Sequence, residues 1–160
     1  MISQQGRCLC QAISYEVTAN PLRVIVCHCK FCQRNTGSAY LVEPIFEKSG
    51  FTVTSGQAKT YRHTSKGSGK QLDIHFCENC GTKIYLSFER FSDLVGVFGG
   101  TFDDPDWFDR NSRYTKHIFV SMAQRGTILP AGVRLFDEHV IDKDDEPIDP
   151  IVYEHHRVVD

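Results

Sequence analysis

From Ala12 to Thr18 the chain alternates, with Ile13, Tyr15 and Val17 apolar and Ser14, Glu16 and Thr18 polar. A period of two marks a strand with one buried face. The same period recurs over Phe51–Thr54, over Gln71–Phe76 (Leu72, Ile74 and Phe76 on one face) and over Lys83–Phe88 (Ile84, Leu86 and Phe88). Leu22–Val26 is a short β-branched strand, and Ser38–Phe46 an apolar one that Pro44 makes irregular. Ala58–His63, Leu94–Phe102, His117–Met122 and Val133–Phe136 read as further strands. Helix is scarce. Gln33–Gly37 reads as one helical turn or a tight loop, and Asp104–Pro105 opens a short helical segment through Arg110, with proline at the tolerated first position. Lys66–Lys70 is a surface loop; Thr64 and Gln71 stand where a phosphate-binding loop needs glycine and a hydroxyl residue. The pattern predicts a mainly β fold of many short antiparallel strands with little helix.

At 160 residues and 41% apolar content the chain suits one domain with a real core. A net charge of -2 leaves no basic footprint for nucleic acid. No apolar run is long enough to span a membrane. Met1–Gly6 lacks the basic and apolar regions of a signal peptide, which points to a cytoplasmic protein. Residues 142–150 are acidic and broken by proline, so residues 138–160 are expected to form an acidic tail behind a domain of residues 1–137.

Cysteine changes the picture most. All seven cysteines fall between Cys8 and Cys80, in groups of two, three and two. An odd number in a reducing compartment argues for metal or catalysis rather than a disulfide framework. Cys77-x-x-Cys80-Gly81 lies between two strands, as in a zinc knuckle, where the glycine allows the turn. Cys8 and Cys10 are two residues apart, so an extended backbone turns both sulfurs to one side. These pairs make a closed four-thiolate site, and Cys27, Cys29 and Cys32 then form a second centre with three ligands and one open position. The other division completes the knuckle from the triplet and leaves Cys8 and Cys10 unused. Soft sulfur ligands favour zinc, with iron or copper(I) as alternatives. Three anionic sulfurs make a poor activator of water and a good holder of another soft ligand. An open site of this kind suggests thiol capture, because bound thiol is deprotonated and thiolate is the nucleophile.

Gly6-x-Cys8-x-Cys10, Cys27-His28-Cys29-x-x-Cys32 with Gly37, and Phe76-Cys77-x-x-Cys80-Gly81 resemble the glutathione-dependent formaldehyde-activating enzyme family, which also contains centromere protein V. The resemblance implies a β-tent-like zinc-binding fold and two zinc ions. It places Cys8, Cys10, Cys77 and Cys80 on a structural zinc. Cys27, Cys29 and Cys32 take a catalytic one. It further implies a carbon-sulfur lyase that joins glutathione and formaldehyde as S-hydroxymethylglutathione, with a small thiol such as glutathione as partner.

Other residues are weaker candidates. His28 lies between two ligands, but neighbours in an extended segment point apart, which favours an exposed or supporting role. Lys30 and Arg34 stand near the open site and are candidates to pair with substrate carboxylates. His75 enters the knuckle on a polar face. Phe31, Tyr40 and Trp107 fit a core or a pocket wall, and His155 and His156 are expected to be exposed. No residue stands out as a general base. The competing function is a non-catalytic zinc module for protein interaction, which has no need of an open coordination position.

Overall fold

The computed structural model describes residues 2–110 and 113–160. Two compact units interleave along the chain. One holds the segment up to Leu22 and Pro44–Phe108; the other holds Arg23–Glu43 and Asp109–Asp160. The fold is mainly β with one α-helix among the described residues, as the alternating pattern requires.

In the first unit β1 (Gln4–Arg7), β2 (Ser14–Val17) and β5 (Phe51–Ser55) form an antiparallel sheet. Ile13, Tyr15 and Val17 are buried, as their alternation predicts. β1 passes so close to Tyr15 that a Cβ on Gly6 would sit 2.2 Å from the phenol ring, which only glycine avoids. The Tyr15 hydroxyl is 2.8 Å from that of Thr101. The strands β6 (Lys59–Thr64), β7 (Gln71–Phe76), β8 (Lys83–Phe88) and β9 (Leu94–Val97) pair in sequence as an antiparallel meander, and β9 also pairs with Ile45–Glu47 of β4 (Leu41–Glu47). Ile74, Ile84, Leu86, Val95 and Val97 supply the core. Phe46, Phe102, Trp107 and Phe108 form an aromatic cluster beside it; Trp107 stacks on Phe46 at 6.1 Å.

In the second unit β3 (Arg23–Cys27) and β12 (Arg134–Leu135) flank β10 (Thr115–Ile118), and both pairings are parallel rather than antiparallel. The helix α1 spans Lys30–Thr36. β11 (Ile128–Leu129) pairs with β13 (Arg157–Val158), and Ile151 exchanges both backbone hydrogen bonds with Leu135. Between those anchors, residues 142–150 are exposed throughout.

Several local expectations are revised. The helix starts at Lys30, within the cysteine triplet, because the Cys29 sulfur caps it by accepting the Cys32 amide at 3.4 Å. The segment from Asp104 to Arg110 forms bends and turns, since the Asp104 carboxylate takes the Asp106 amide and Trp107 and Phe108 are drawn into the aromatic cluster. The strand expected over His117–Met122 ends at Ile118, where Phe119 adopts φ 57° and a 3-10 turn follows. The strand expected to run to Phe102 ends at Val97, before a 3-10 turn at Gly99–Thr101. No helix among the described residues is long and apolar enough to cross a membrane.

Candidate metal centres

The first centre lies in the first unit. β1 stops at Arg7, and residues 8–11 turn back: the Gln11 amide donates to the Cys8 carbonyl at 2.9 Å, with Gln11 itself at φ 63°. The Cys8 and Cys10 sulfurs therefore meet, 3.6 Å apart, across a turn and not by the extended alternation expected. The knuckle sits between β7 and β8. Cys77 donates its amide to the Thr82 carbonyl at 2.9 Å, and Gly81, at φ 72°, donates to the Cys77 carbonyl at 2.8 Å. Cys10 and Cys77 are 3.7 Å apart, and all four sulfurs lie within 4.8 Å of one another. A tetrahedral ion with metal–sulfur bonds of about 2.3 Å needs sulfurs about 3.8 Å apart. The cluster fits that spacing and could hold a metal ion. The Ala12 amide, then the Asn79 side chain, holds the Cys10 thiol below its ordinary range. The Thr82 hydroxyl, then its amide, brings Cys80 down to about 5. Both environments favour thiolate. Among the described residues the sulfurs form a cluster of four, Cys8, Cys10, Cys77 and Cys80, and one of three, Cys27, Cys29 and Cys32.

The second centre lies in the second unit. Cys27 ends β3, Cys29 caps α1 and Cys32 sits in its first turn. Their sulfurs also lie within 4.8 Å of one another and could hold a second ion. Cys27 and Cys32 are buried and Cys29 half-buried. Gly37 closes the helix by donating to the Gln33 carbonyl at 2.9 Å. Hydrogen bonds from Cys27 and Cys32 bring Cys29 down to about 3. Cys27 and Cys32 are raised well above the usual thiol value, first by hydrogen bonds to the sulfurs beside them. One thiolate is thus shared by two thiols. Metal binding requires all three as thiolates, so loading this centre at pH 7 should release about two protons and weaken as pH falls. Titrating metal into weakly buffered wild type and Cys27→Ser, with a pH indicator present, gives the triplet's release as the difference between the two; a difference near zero contradicts the shared-thiolate picture.

The surroundings of this centre differ from expectation. His28 is fully buried, not exposed. Its Nε2 is 3.1 Å from Nδ1 of His117, the two rings stack, and the Tyr40 ring is centred 5.3 Å from that of His28. Burial pushes both imidazoles down to about 4, so each is neutral near pH 7. The Gln33 amide donates to the His28 and Met122 carbonyls at 2.6 and 2.9 Å, which ties α1 to the turn after β10. Glu43 is buried, its Oε1 has no hydrogen-bond partner, and burial followed by the Cys29 charge raises it to about 8.

Glu43 yields a test of its own. Its folded value lies above the unfolded one, so its contribution to stability is greatest below about pH 4.5 and is lost as pH rises towards 8. Glu43→Gln should therefore raise the melting temperature more at pH 8 than at pH 5, with a gain in stability of up to about a few kcal/mol at the alkaline end. Calorimetry at the two pH values checks the sign; an equal effect at both removes Glu43 as the cause.

A cavity of about 610 Å³ opens beside α1, lined by Lys30, Gln33, Arg34, Gly37, Ser38, Ala39 and Gln124. Lys30 and Arg34 thus share a pocket, as candidates for substrate carboxylates should, though no cysteine lines it. His75 is occupied elsewhere: it stacks on Tyr85 at 4.0 Å and bonds Thr60 and Ser87 across neighbouring strands. Trp107 is half-buried in the aromatic cluster. His155 and His156 are exposed, and His156 Nδ1 accepts the Ala131 amide. Glu43 and His117 were not singled out by spacing. The only trace of Glu43 in the sequence is a charge inside the apolar run Leu41–Phe46.

Known proteins resemble this chain. An uncharacterized lyase of Schizosaccharomyces pombe is 25% identical over 88 residues, covering 55% of this chain and 60% of the relative. The match thus spans less than two thirds of that protein's length. A putative glutathione-dependent formaldehyde-activating enzyme of Halomonas elongata is 22% identical, covering 72% of this chain and 85% of the relative. The crystal structure of a Rhodobacter sphaeroides protein superposes with a TM-score of 0.53 at 20% identity, covering 68% of this chain and 95% of that one, which supports the fold. The model of the glutathione-dependent formaldehyde-activating enzyme family matches residues 3–122, a stretch that includes all seven cysteines, and the chain belongs to that family.

Proposed function

We propose that the chain is a zinc-dependent lyase of the carbon-sulfur type that acts on thiol adducts, joining glutathione and formaldehyde as S-hydroxymethylglutathione. In this reading Cys8, Cys10, Cys77 and Cys80 carry a structural zinc, and Cys27, Cys29 and Cys32 a catalytic one with a fourth position for the substrate. Family membership and the names of the two relatives support a lyase acting on a glutathione-related substrate. The observation that carries the reading is a three-sulfur cluster at the start of α1, a helix that also lines a cavity holding two cations.

Zinc, when bound, supplies positive charge that favours thiolate over thiol. The chain's own residues do the rest. Lys30 and Arg34 attract the carboxylates of a glutathione-like substrate into the cavity. Lys30 is steadied at 3.1 Å by the Gln33 side chain. The buried pair His28 and His117, 3.1 Å apart, is neutral near pH 7 and adds no charge next to Cys27 and Cys29 in sequence. The substrate sulfur then forms its bond to the aldehyde carbon, and the carbonyl oxygen takes up a proton to become the hydroxyl of the adduct.

Metal analysis together with carbon-13 NMR of labelled formaldehyde and glutathione tests the reading. Two zinc ions per chain and adduct formation faster than the protein-free reaction are expected. One zinc per chain, or no acceleration, overturns it.

A further inference from the structure

One face of the parallel ribbon in the second unit collects three cations that the sequence keeps far apart. Lys116 on β10 stands directly opposite Arg134 on β12 and opposite Ile25 on β3. Residues in register point to the same side of a sheet, and Arg23, two residues before Ile25, shares that side. Adjacent strands are about 4.8 Å apart and a two-residue step is about 6.6 Å, so three long side chains can converge on one point.

All three are half-buried, and among the described residues none makes an ion pair. Arg134 is held by donating to the Arg113 carbonyl at 2.5 Å, which leaves part of its guanidinium fork free. Among the described residues, Glu43 is an acidic group whose charge acts on Arg23. Glu43 is 7% exposed, and its Oε1 is buried without a hydrogen-bond partner. Burial, then the charges of Arg134 and Arg23, holds the Lys116 ammonium below the usual lysine range. Like charges brought together without a counter-charge are costly unless a ligand supplies one.

We propose that Arg23, Lys116 and Arg134 form an oxyanion site for a phosphate group, separate from the sulfur centre. Cys27 lies on the same face of β3, about 13 Å along the strand from Arg23 and two residues beyond Ile25, the partner of Lys116, and no cysteine belongs to the cation cluster. A bound phosphate bridges the three cations with charge-assisted hydrogen bonds. The phosphate comes either as the free ion or as the head of a phosphate monoester, and the site's independence from the sulfurs means that the lyase reading is not required.

Calorimetric titration of the metal-loaded protein with inorganic phosphate and, separately, glycerol phosphate tests the site. A dissociation constant below about 10 mM is expected for at least one probe. Lys116→Gln and Arg134→Gln should each weaken it at least about tenfold. Arg34→Gln, in the cavity beside α1, should leave it unchanged. Binding of inorganic phosphate alone identifies the free ion as ligand, and tighter binding of the ester identifies an organic phosphate; both support the site. Both variants should also melt no lower than wild type in anion-free buffer while losing the rise in melting temperature that phosphate gives wild type. If one fails to fold, the other decides. Binding that resists both substitutions, binding lost only in Arg34→Gln, or no binding of either probe overturns the proposal.

Discussion

Cys77→Ser is expected to give a chain that holds one metal ion fewer and is largely unfolded at 37 °C. Cys77 is 1% exposed and its sulfur lies 3.7 Å from that of Cys10, 67 residues away in sequence. The turn after β1 and the turn after β7 meet at the sulfurs and where the Leu9 amide donates to the Thr82 hydroxyl at 3.2 Å. The proposed structural zinc ties them at four points. Structural zinc in small domains contributes about 10–16 kcal/mol of apparent binding energy. Whole domains are stable by only about 5–15 kcal/mol, so the site can decide whether the unit folds. Differential scanning calorimetry with metal analysis gives the answer, and a strong chelator added to wild type should reproduce the loss. A variant that keeps both ions and melts within a few degrees of wild type sinks the four-thiolate assignment.

The parts of this molecule that were legible in the sequence are those written in local spacing. Gln71–Phe76 and Lys83–Phe88 alternate cleanly, so the hairpin and the knuckle at its tip could be read directly. The grouping of four and three sulfurs followed from arithmetic on seven cysteines, and the clusters have that composition. The route was partly different: Cys8 and Cys10 meet through a turn with Gln11 at positive φ, which an extended-chain reading does not foresee. For His28 the exposed alternative fails for the same reason, and the buried, supporting one stands. A helix beginning at Lys30 re-aims the residues before it, and His28 ends against His117.

What was illegible depends on pairing across long separations. Arg23, Lys116 and Arg134 become neighbours only because β3, β10 and β12 are parallel, and a parallel pairing leaves no hairpin signal in the sequence. A net charge of -2 hid that cluster, since a global balance says nothing about one face of one ribbon. Trp107 and Phe108 overrode a plausible helix start at Pro105 because burying two aromatic rings outweighs one short, marginal turn of helix.

Cys27→Ser should behave in the opposite way to Cys77→Ser: the fold survives and the chemistry goes. Cys27 is buried at the end of β3, but β3 keeps its ladder to β10 through Val24, Ile25 and Val26 whether or not a metal is bound. Serine is smaller than cysteine by little and retains the backbone, so a drop of only a few degrees in melting temperature is expected. Its hydroxyl stays protonated at neutral pH and is a poor ligand for a soft-ligand site. The variant should therefore hold one ion where wild type holds two. It should also lose calorimetric glutathione binding, and turnover above the protein-free background should fall at least about a hundredfold, the scale of losing a metal's charge at the reacting atoms. The pairing of outcomes matters. Loss of the ion with full retention of turnover makes the triplet structural and moves the chemistry elsewhere. Retention of the ion makes Cys29 and Cys32 sufficient without Cys27. Loss of folding along with the ion shows that the two centres share one structural role, which leaves the protein-interaction module as the better reading of the chain.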